Sequence, residues 1–202
     1  MNNEQEPTKD AVFVDTIPNL IGMVPGGEKT AKEFLQSSFL GKLDSMVVRY
    51  KSLGQALPVE PSLLRYLLEA RSLFVEQYDW GAIALCGMTA ESVCADVVRE
   101  RILVSEHKRI LSLGYHSQID EISKMGKFRG PRTAEMLHRI GEIRREYVHL
   151  RRPQSNEKEI QDAFQMLRVA VFAEFGLVPV NRGKLGPASR SDAERLTREL
   201  GI

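Results

Sequence analysis

Residues 132–150 read RTAEMLHRIGEIRREYVHL. Apolar and small residues recur in this stretch at three- and four-residue spacing, namely Ala134, Leu137, Ile140, Gly141, Tyr147 and Val148. This is the period of an amphipathic α-helix, and Pro153 follows at the point where such a helix has to end. The stretch therefore predicts a long helix that turns these six residues toward a core.

Three further segments carry the same helical period. They cover residues 61–78, 80–102 and 156–175, and Asn156 is a residue type that caps helix N-termini. Only short loops separate the first segment from the second and the third from the fourth. The longer connection holds a short helix near residues 117–124. We therefore expect an all-α protein in which two helical hairpins pack as a four-helix bundle.

Pro58 and the polar tail divide the chain into three parts. We expect an irregular N-terminal extension over residues 1–58, with short helices at 28–39 and 43–51 and a short strand or extended arm at 11–15. The helical bundle then covers residues 59–178. A polar tail over residues 179–202 carries one last short helix, which Ser191 and Glu194 would begin as a capping box.

The composition indicates a globular protein. The chain has 202 residues, of which 43% are hydrophobic, so a substantial core is available. Cys86 and Cys94 are too far apart to bridge within one straight helix, and we expect both to be reduced and buried. The first thirty residues have no basic start and no long apolar run, and no segment reaches the length of a membrane span. We expect a cytoplasmic protein with no membrane partner.

Positive charge is concentrated in one region, although the formal net charge of the chain is only +1. Residues 123–153 hold nine lysines and arginines against three glutamates. Such a concentration is typical of a polyanion-binding surface, and it is equally typical of a solvated helix face with internal ion pairs.

Two residues on the predicted helices stand out as candidates for chemistry. Glu91 falls on the apolar stripe of the second helix, and a buried carboxylate needs a cationic partner. Arg144 is the obvious partner, since it lies three residues after Gly141 on the third helix. The pair would either lock the two helices together or orient a catalytic arginine.

His149 is a candidate general acid or base. Five residues along a straight helix turn a side chain through roughly 140°, so Arg144 and His149 do not share a face, whereas Arg145 and His149 do. The remaining histidines, His107, His116 and His138, show no ligand spacing, so we expect no metal site and no cofactor.

Two stretches of the sequence resemble those of a known protein family. Residues 143–149 read IRREYVH, and residues 90–93 read AESV. An arginine followed after four to six residues by histidine, on the third long helix of an all-α bundle, resembles the signature of HEPN domains. The segment around Glu91 resembles the region where related bacterial families carry an acidic residue. The resemblance covers roughly residues 62–177.

The resemblance implies a metal-independent endoribonuclease that forms a homodimer around one cleft, in a bacterial or phage defence setting such as a toxin–antitoxin or abortive-infection system. It assigns phosphate binding to Arg144, proton transfer to His149 and orientation of the arginine to Glu91. RNA contacts would come from Arg139, Arg145, Tyr147, Arg151 and Arg152. A cognate antitoxin or regulatory protein is the implied protein partner.

One position departs from the family pattern. Active members commonly carry a small polar residue after the motif arginine, where this chain has Arg145. The alternative hypothesis is therefore a non-catalytic HEPN-like dimerisation or regulatory module. A third reading is a partner-binding bundle that uses its C-terminal helix as a docking peptide.

Overall fold

The computed structural model describes residues 27–53, 59, 61–149, 154–181 and 184–201. Helices dominate this part of the chain, in which eight helices and two short strands are found. The expectation of an all-α protein is confirmed, with one small β-ribbon as an addition. The arm expected at residues 11–15 lies outside the described residues.

The helices and strands follow one another in a simple order along the chain. They are α1 (Gly27–Ser52), α2 (Pro61–Val75), α3 (Asp79–Arg101), α4 (Val104–Leu111), α5 (Tyr115–Lys124), α6 (Thr133–Val148), α7 (Glu157–Phe175), β1 (Leu177–Asn181), β2 (Lys184–Pro187) and α8 (Arg190–Leu200).

Helix α1 corrects the expectation of two short helices at residues 28–39 and 43–51. It is one continuous helix, because Gly41 in its interior weakens a helix by about 1 kcal/mol without ending it. The contacts divide the chain into two compact units between Val47 and Val48. The predicted three-part division, with boundaries after residues 58 and 178, remains a prediction.

The four longest helices after α1 share one core. Helix α3 packs against α2, α6 and α7, while α7 also contacts α2 and α6. Cys86 and Cys94 on α3 are buried and free, as expected, and burial raises the pKa of each thiol to about 12. Helix α3 is the one described helix whose length and composition suit a membrane span, which corrects the expectation that no segment reaches that length. Its central place in the core is an equally good reason for that composition.

The chain after α7 differs from the sequence prediction. Strands β1 and β2 form an antiparallel ribbon in which Leu177 pairs with Pro187. These strands were not predicted, because prolines are disfavoured within sheets. A two-stranded ribbon tolerates proline, because both of its strands are edge strands. Helix α8 begins with a capping box formed by Ser189 and Asp192, so the box predicted at Ser191 and Glu194 was wrong by two residues. The predicted cap at Asn156 is confirmed, since its side chain accepts from the Glu159 amide.

One end of the core is organised around Glu174 on α7, whose side chain is completely buried. Arg101, at the end of α3, donates to its carboxylate. The backbone amides of Arg129 and Gly130 donate to the carboxylate at 3.0 Å, and the Thr133 hydroxyl donates at 2.8 Å. Because a buried carboxylate without partners would be strongly destabilising, these contacts fix the α5–α6 connection to the ends of α3 and α7.

We expect Glu174→Gln to lower the free energy of unfolding by about 3 kcal/mol, because it leaves the Arg101 guanidinium in the protein interior without its counter-charge. Urea denaturation followed by circular dichroism measures this loss. Glu194→Gln is the matched control, since Glu194 pairs with Arg190 on the surface of α8 and its loss should cost no more than about 1 kcal/mol. Equal losses in the two variants would contradict the role given to Glu174.

Candidate functional site

The predicted contact between Arg144 and Glu91 is present. Arg144 on α6 donates through Nη1 to Oε1 of Glu91 on α3. The expectation that Glu91 is buried was wrong, because its side chain is 46% exposed and that of Arg144 is 29% exposed. Glu91 lies at the rim of the α3–α6 contact, where its carboxylate is open to solvent.

Gly87 explains how the Arg144 side chain crosses the surface of α3. A Cβ atom on Gly87 would lie 2.0 Å from Cδ of Arg144 and 3.0 Å from its Cγ. The methylene groups of Arg144 therefore occupy the space that any other side chain at position 87 would need. From there the guanidinium reaches Glu91, one helical turn further along α3.

We expect Gly87→Ala to lower the free energy of unfolding by about 1–3 kcal/mol, because the added methyl group overlaps the Arg144 side chain. In an Arg144→Ala background the same change should be neutral, or stabilising by up to about 1 kcal/mol, because alanine favours a helix over glycine. A double-mutant cycle measured by urea denaturation tests this. Equal costs in the two backgrounds would show that Arg144 does not fill this space.

His149 is exposed at the C-terminal end of α6 and lies apart from the Arg144–Glu91 pair. It is the capping residue, and its backbone N–H donates to the Arg145 carbonyl at 3.2 Å. This bond continues the helical turn, so His149 follows Arg145 on one face while Arg144 turns toward α3. Among the described residues, no hydrogen bond or ion pair joins the His149 ring to Arg144.

Tyr147 is turned toward the core, as the helical period predicts, and this corrects the RNA contact that the resemblance implies for it. Its side chain is fully buried, and its ring packs edge-on against Trp80 with the centroids 5.0 Å apart. Its hydroxyl accepts a hydrogen bond from the Asn156 amide at 2.8 Å. A ring in this position cannot stack on an RNA base, so Tyr147 joins α6 to the start of α7 instead. Val148, expected inward, is exposed.

The remaining basic candidates are in different situations. Arg139 is exposed but lies 3.0 Å from a carboxylate oxygen of Glu142 and 3.9 Å from one of Glu159. Arg145 is exposed, and within the described part of the chain it makes no ion pair. Arg151 and Arg152 lie outside the described residues. The excess of positive charge is therefore partly neutralised by helix neighbours. Of the candidate arginines that the structure describes, Arg145 is the one without an ion pair.

Sequence reasoning missed a cluster that joins α5 to α6. Nδ1 of His116 lies 2.8 Å from Nδ1 of His138, and Nε2 of His138 lies 3.0 Å from Oδ1 of Asp120. The four-residue spacing of His116 and Asp120 places both on one face of α5, but it could not indicate which face of α6 they meet. Gly141 permits the approach, since a Cβ there would lie 2.6 Å from the Tyr115 ring and 3.0 Å from Cε1 of His116.

Three influences lower the pKa of His116 below the ordinary imidazole value of 6.5. Burial is the largest, and the charges of His138 and Arg145 act in the same direction. Glu142 and Asp120 oppose them. Because the folded pKa is below that of the unfolded chain, the unfolded chain takes up the proton first as the pH falls below 6.5. The free energy of unfolding should therefore decrease with falling pH until the folded pKa is passed.

We expect His116→Gln to reduce the loss of stability that the wild type shows between neutral pH and about pH 5. The comparison requires urea denaturation across this range. His107→Gln is the control, because His107 lies on α4 and its ring bonds the Ile102 carbonyl instead of a second imidazole. If the wild type and His116→Gln lose stability in parallel, His116 does not carry this pH dependence.

The polar residues of α6 form a stripe along its surface. His138, Glu142, Arg145 and His149 are separated by four, three and four residues, so they lie within one narrow face of the helix. We call these four residues the α6 stripe. The described residues contain no group of three or more histidine, cysteine, aspartate or glutamate side chains suited to a metal ion. The functional groups of the stripe are two imidazoles, one guanidinium and the carboxylate of Glu142.

Comparisons with protein-family models, with curated proteins and with solved structures give no match to this chain. The resemblance to HEPN domains therefore rests on the residues of the motif and on their place in the chain.

Proposed function

We propose that this chain is a HEPN-like protein that binds RNA and cleaves it without a metal ion. The observation that carries the proposal is the position of His149, exposed at the end of α6 and one helical turn beyond the exposed Arg145. An imidazole beside a guanidinium supplies a proton-transfer group and a phosphate-binding group.

The surrounding structure supports the same proposal. The motif lies on α6, the third of four long helices that share a core, and Arg144 contacts a carboxylate on the preceding long helix α3. The proposal includes a HEPN-type four-helix bundle, a homodimer with a shared cleft, and a role in bacterial or phage defence with a cognate antitoxin or regulator. In this scheme Arg144 and Glu91 hold α6 in place beside the cleft, and His149 and Arg145 contact the RNA.

The test is cleavage of mixed RNA in EDTA by the wild type and by His149→Ala. We expect the variant to lose about 100-fold or more in rate, which is the usual contribution of a positioned acid–base group. His107→Ala is the matched control and should retain the wild-type rate, because His107 belongs to α4. Equal cleavage by wild type and His149→Ala, or none by either, rejects the enzymatic proposal.

A second candidate function is a non-catalytic dimerisation or regulatory module. The contact of Arg144 with Glu91 across the glycine surface of α3 favours it, because such a contact serves helix packing without any chemistry. Arg145 in place of the usual small polar residue points the same way.

Arg144→Ala distinguishes the two functions. Because Glu91 is half exposed, the loss of this ion pair should cost no more than about 1 kcal/mol and leave the protein folded. Light scattering after gel filtration measures the oligomeric state, and the EDTA assay measures cleavage. A folded dimer with reduced cleavage supports the ribonuclease, whereas a wild type without cleavage whose dimer dissociates on this change supports the module.

A further inference from the structure

The contacts among Asp120, His138 and His116 determine which ring nitrogens carry protons when both histidines are neutral. An ionised carboxylate only accepts hydrogen bonds, so Nε2 of His138 donates to Asp120. Nδ1 of His138 is then a bare acceptor, and Nδ1 of His116 has to donate to it. This leaves Nε2 of His116 as an unprotonated base.

The geometry of the two rings agrees with a direct hydrogen bond between them. Their planes differ by only 8°, and their centroids lie 5.1 Å apart. This separation matches the 2.8 Å contact between the nitrogens with one ring radius added on each side, so the rings meet edge to edge instead of stacking. The lone pair of His138 and the N–H of His116 are therefore in line.

Nε2 of His116 is available to a ligand. The ring is partly exposed, and within the described part of the chain this nitrogen has no hydrogen-bond partner and is not among the buried polar atoms without one. Its ring lies against Gly141, and Arg145 follows Gly141 by one helical turn on the same side of α6. The charge of Arg145 is also among the causes that lower the pKa of His116.

We propose that His116 and Arg145 form a site for the 2′-hydroxyl and phosphate of a ribonucleotide, in which Nε2 of His116 accepts a proton and Arg145 binds the phosphate. His138 and Asp120 are positioning residues, because they fix the tautomer of His116 and share the positive charge that it gains. This inference deepens the proposed ribonuclease function and rests on it for the reaction.

The reaction requires no other reagent. Nε2 of His116 removes the proton of the 2′-hydroxyl, and the 2′-oxygen forms a bond to phosphorus. The bond between phosphorus and the 5′-oxygen breaks, and the leaving oxygen takes a proton from protonated His149. The products are a 2′,3′-cyclic phosphate and a 5′-hydroxyl, one proton has moved to His116, and one has left His149.

Arg145 fits the phosphate-binding role better than Arg144 does. The Arg144 guanidinium is held by Glu91, and its methylene groups are confined against Gly87. The carboxylate of Glu142 also lies on the α6 stripe and would repel an anion, but Arg139 neutralises it at 3.0 Å. The site thus places the Arg145 guanidinium, which has no ion pair within the described residues, between the imidazoles of His116 and His149.

The first experiment measures binding and is independent of cleavage. Uridine 3′-monophosphate is titrated into nitrogen-15-labelled protein, and the imidazole resonances of His116 are followed by NMR. We expect His116 to be protonated at Nδ1 in the free protein and to shift saturably with the nucleotide. Arg145→Gln should weaken binding roughly tenfold, as expected for the loss of a charge-assisted contact. Arg190→Gln is the control and should bind as the wild type does, because Arg190 pairs with Glu194 on α8 and is not part of this site.

The second experiment measures the dependence of RNA cleavage on pH. We expect His116→Gln to lower kcat by about 100-fold and to remove the acid limb of the profile, because the base is lost. Asp120→Asn should shift that limb to lower pH, since the imidazolium loses its carboxylate, and Asp120→Glu should restore it. A purely structural role for Asp120 would change the amount of folded protein without moving the limb.

The two experiments separate this inference from the proposed function. If the wild type cleaves RNA and His116→Gln keeps its rate and pH profile, the inference is overturned while the ribonuclease stands. If the wild type does not cleave RNA, the ribonuclease function is rejected. The nucleotide titration then remains as the test of whether His116 and Arg145 form a binding site. His116 shifts that depend on Arg145 support it, whereas unchanged His116 resonances, or equal shifts in the Arg145→Gln protein, overturn it.

Discussion

The buried carboxylate of Glu174 is the constraint on which the arrangement of the long helices depends. It lies near the end of α7 and accepts hydrogen bonds from Arg101 at the end of α3 and from the segment that leads into α6. A charge in this position is tolerated only when every partner is in place, so the carboxylate favours one mutual arrangement of three helix ends. The Arg101 guanidinium, which also lies over the Phe175 ring, closes the cluster.

The position of α6 in turn decides which chemistry each of its faces can perform. Two glycines allow close approach on either side of the helix. Gly87 on α3 admits the Arg144 side chain, and Gly141 on α6 admits Tyr115 and His116 from α5. Arg144 is thereby committed to a contact between helices. The α6 stripe lies on the adjoining face, and its imidazole and guanidinium groups remain accessible. The groups best suited to bind a phosphate therefore lie beside Arg144, and Arg144 itself is not one of them.

The motif and the structure lead to related but different sites. An arginine followed after four residues by a histidine is easily recognised as a motif in a sequence. On a regular helix, however, this spacing places the two side chains on different faces. Arg145, the residue that departs from the family pattern, shares the face of His149. By the resemblance, an arginine at position 145 favours a non-catalytic module. By the geometry of α6, the same arginine gives this chain an exposed cation beside the exposed His149.

The sequence by itself determined the four long helical segments after residue 60, the Asn156 cap and the burial of Cys86 and Cys94, and it indicated the contact of Arg144 with Glu91. The helices, the cap and the buried cysteines follow from periodicity and from local preferences that act within a few residues, whereas the contact of Arg144 with Glu91 was inferred from the need of a carboxylate for a cationic partner. It did not predict the continuity of α1 through Gly41 or the proline-containing ribbon, because there the local signals oppose the structure that forms. Only the tertiary structure decided that Glu91 and Val148 are exposed, that Glu174 is enclosed by partners and that His116 meets His138. Each of these depends on the rotation and separation of helices far apart in the chain, and no local spacing encodes those quantities.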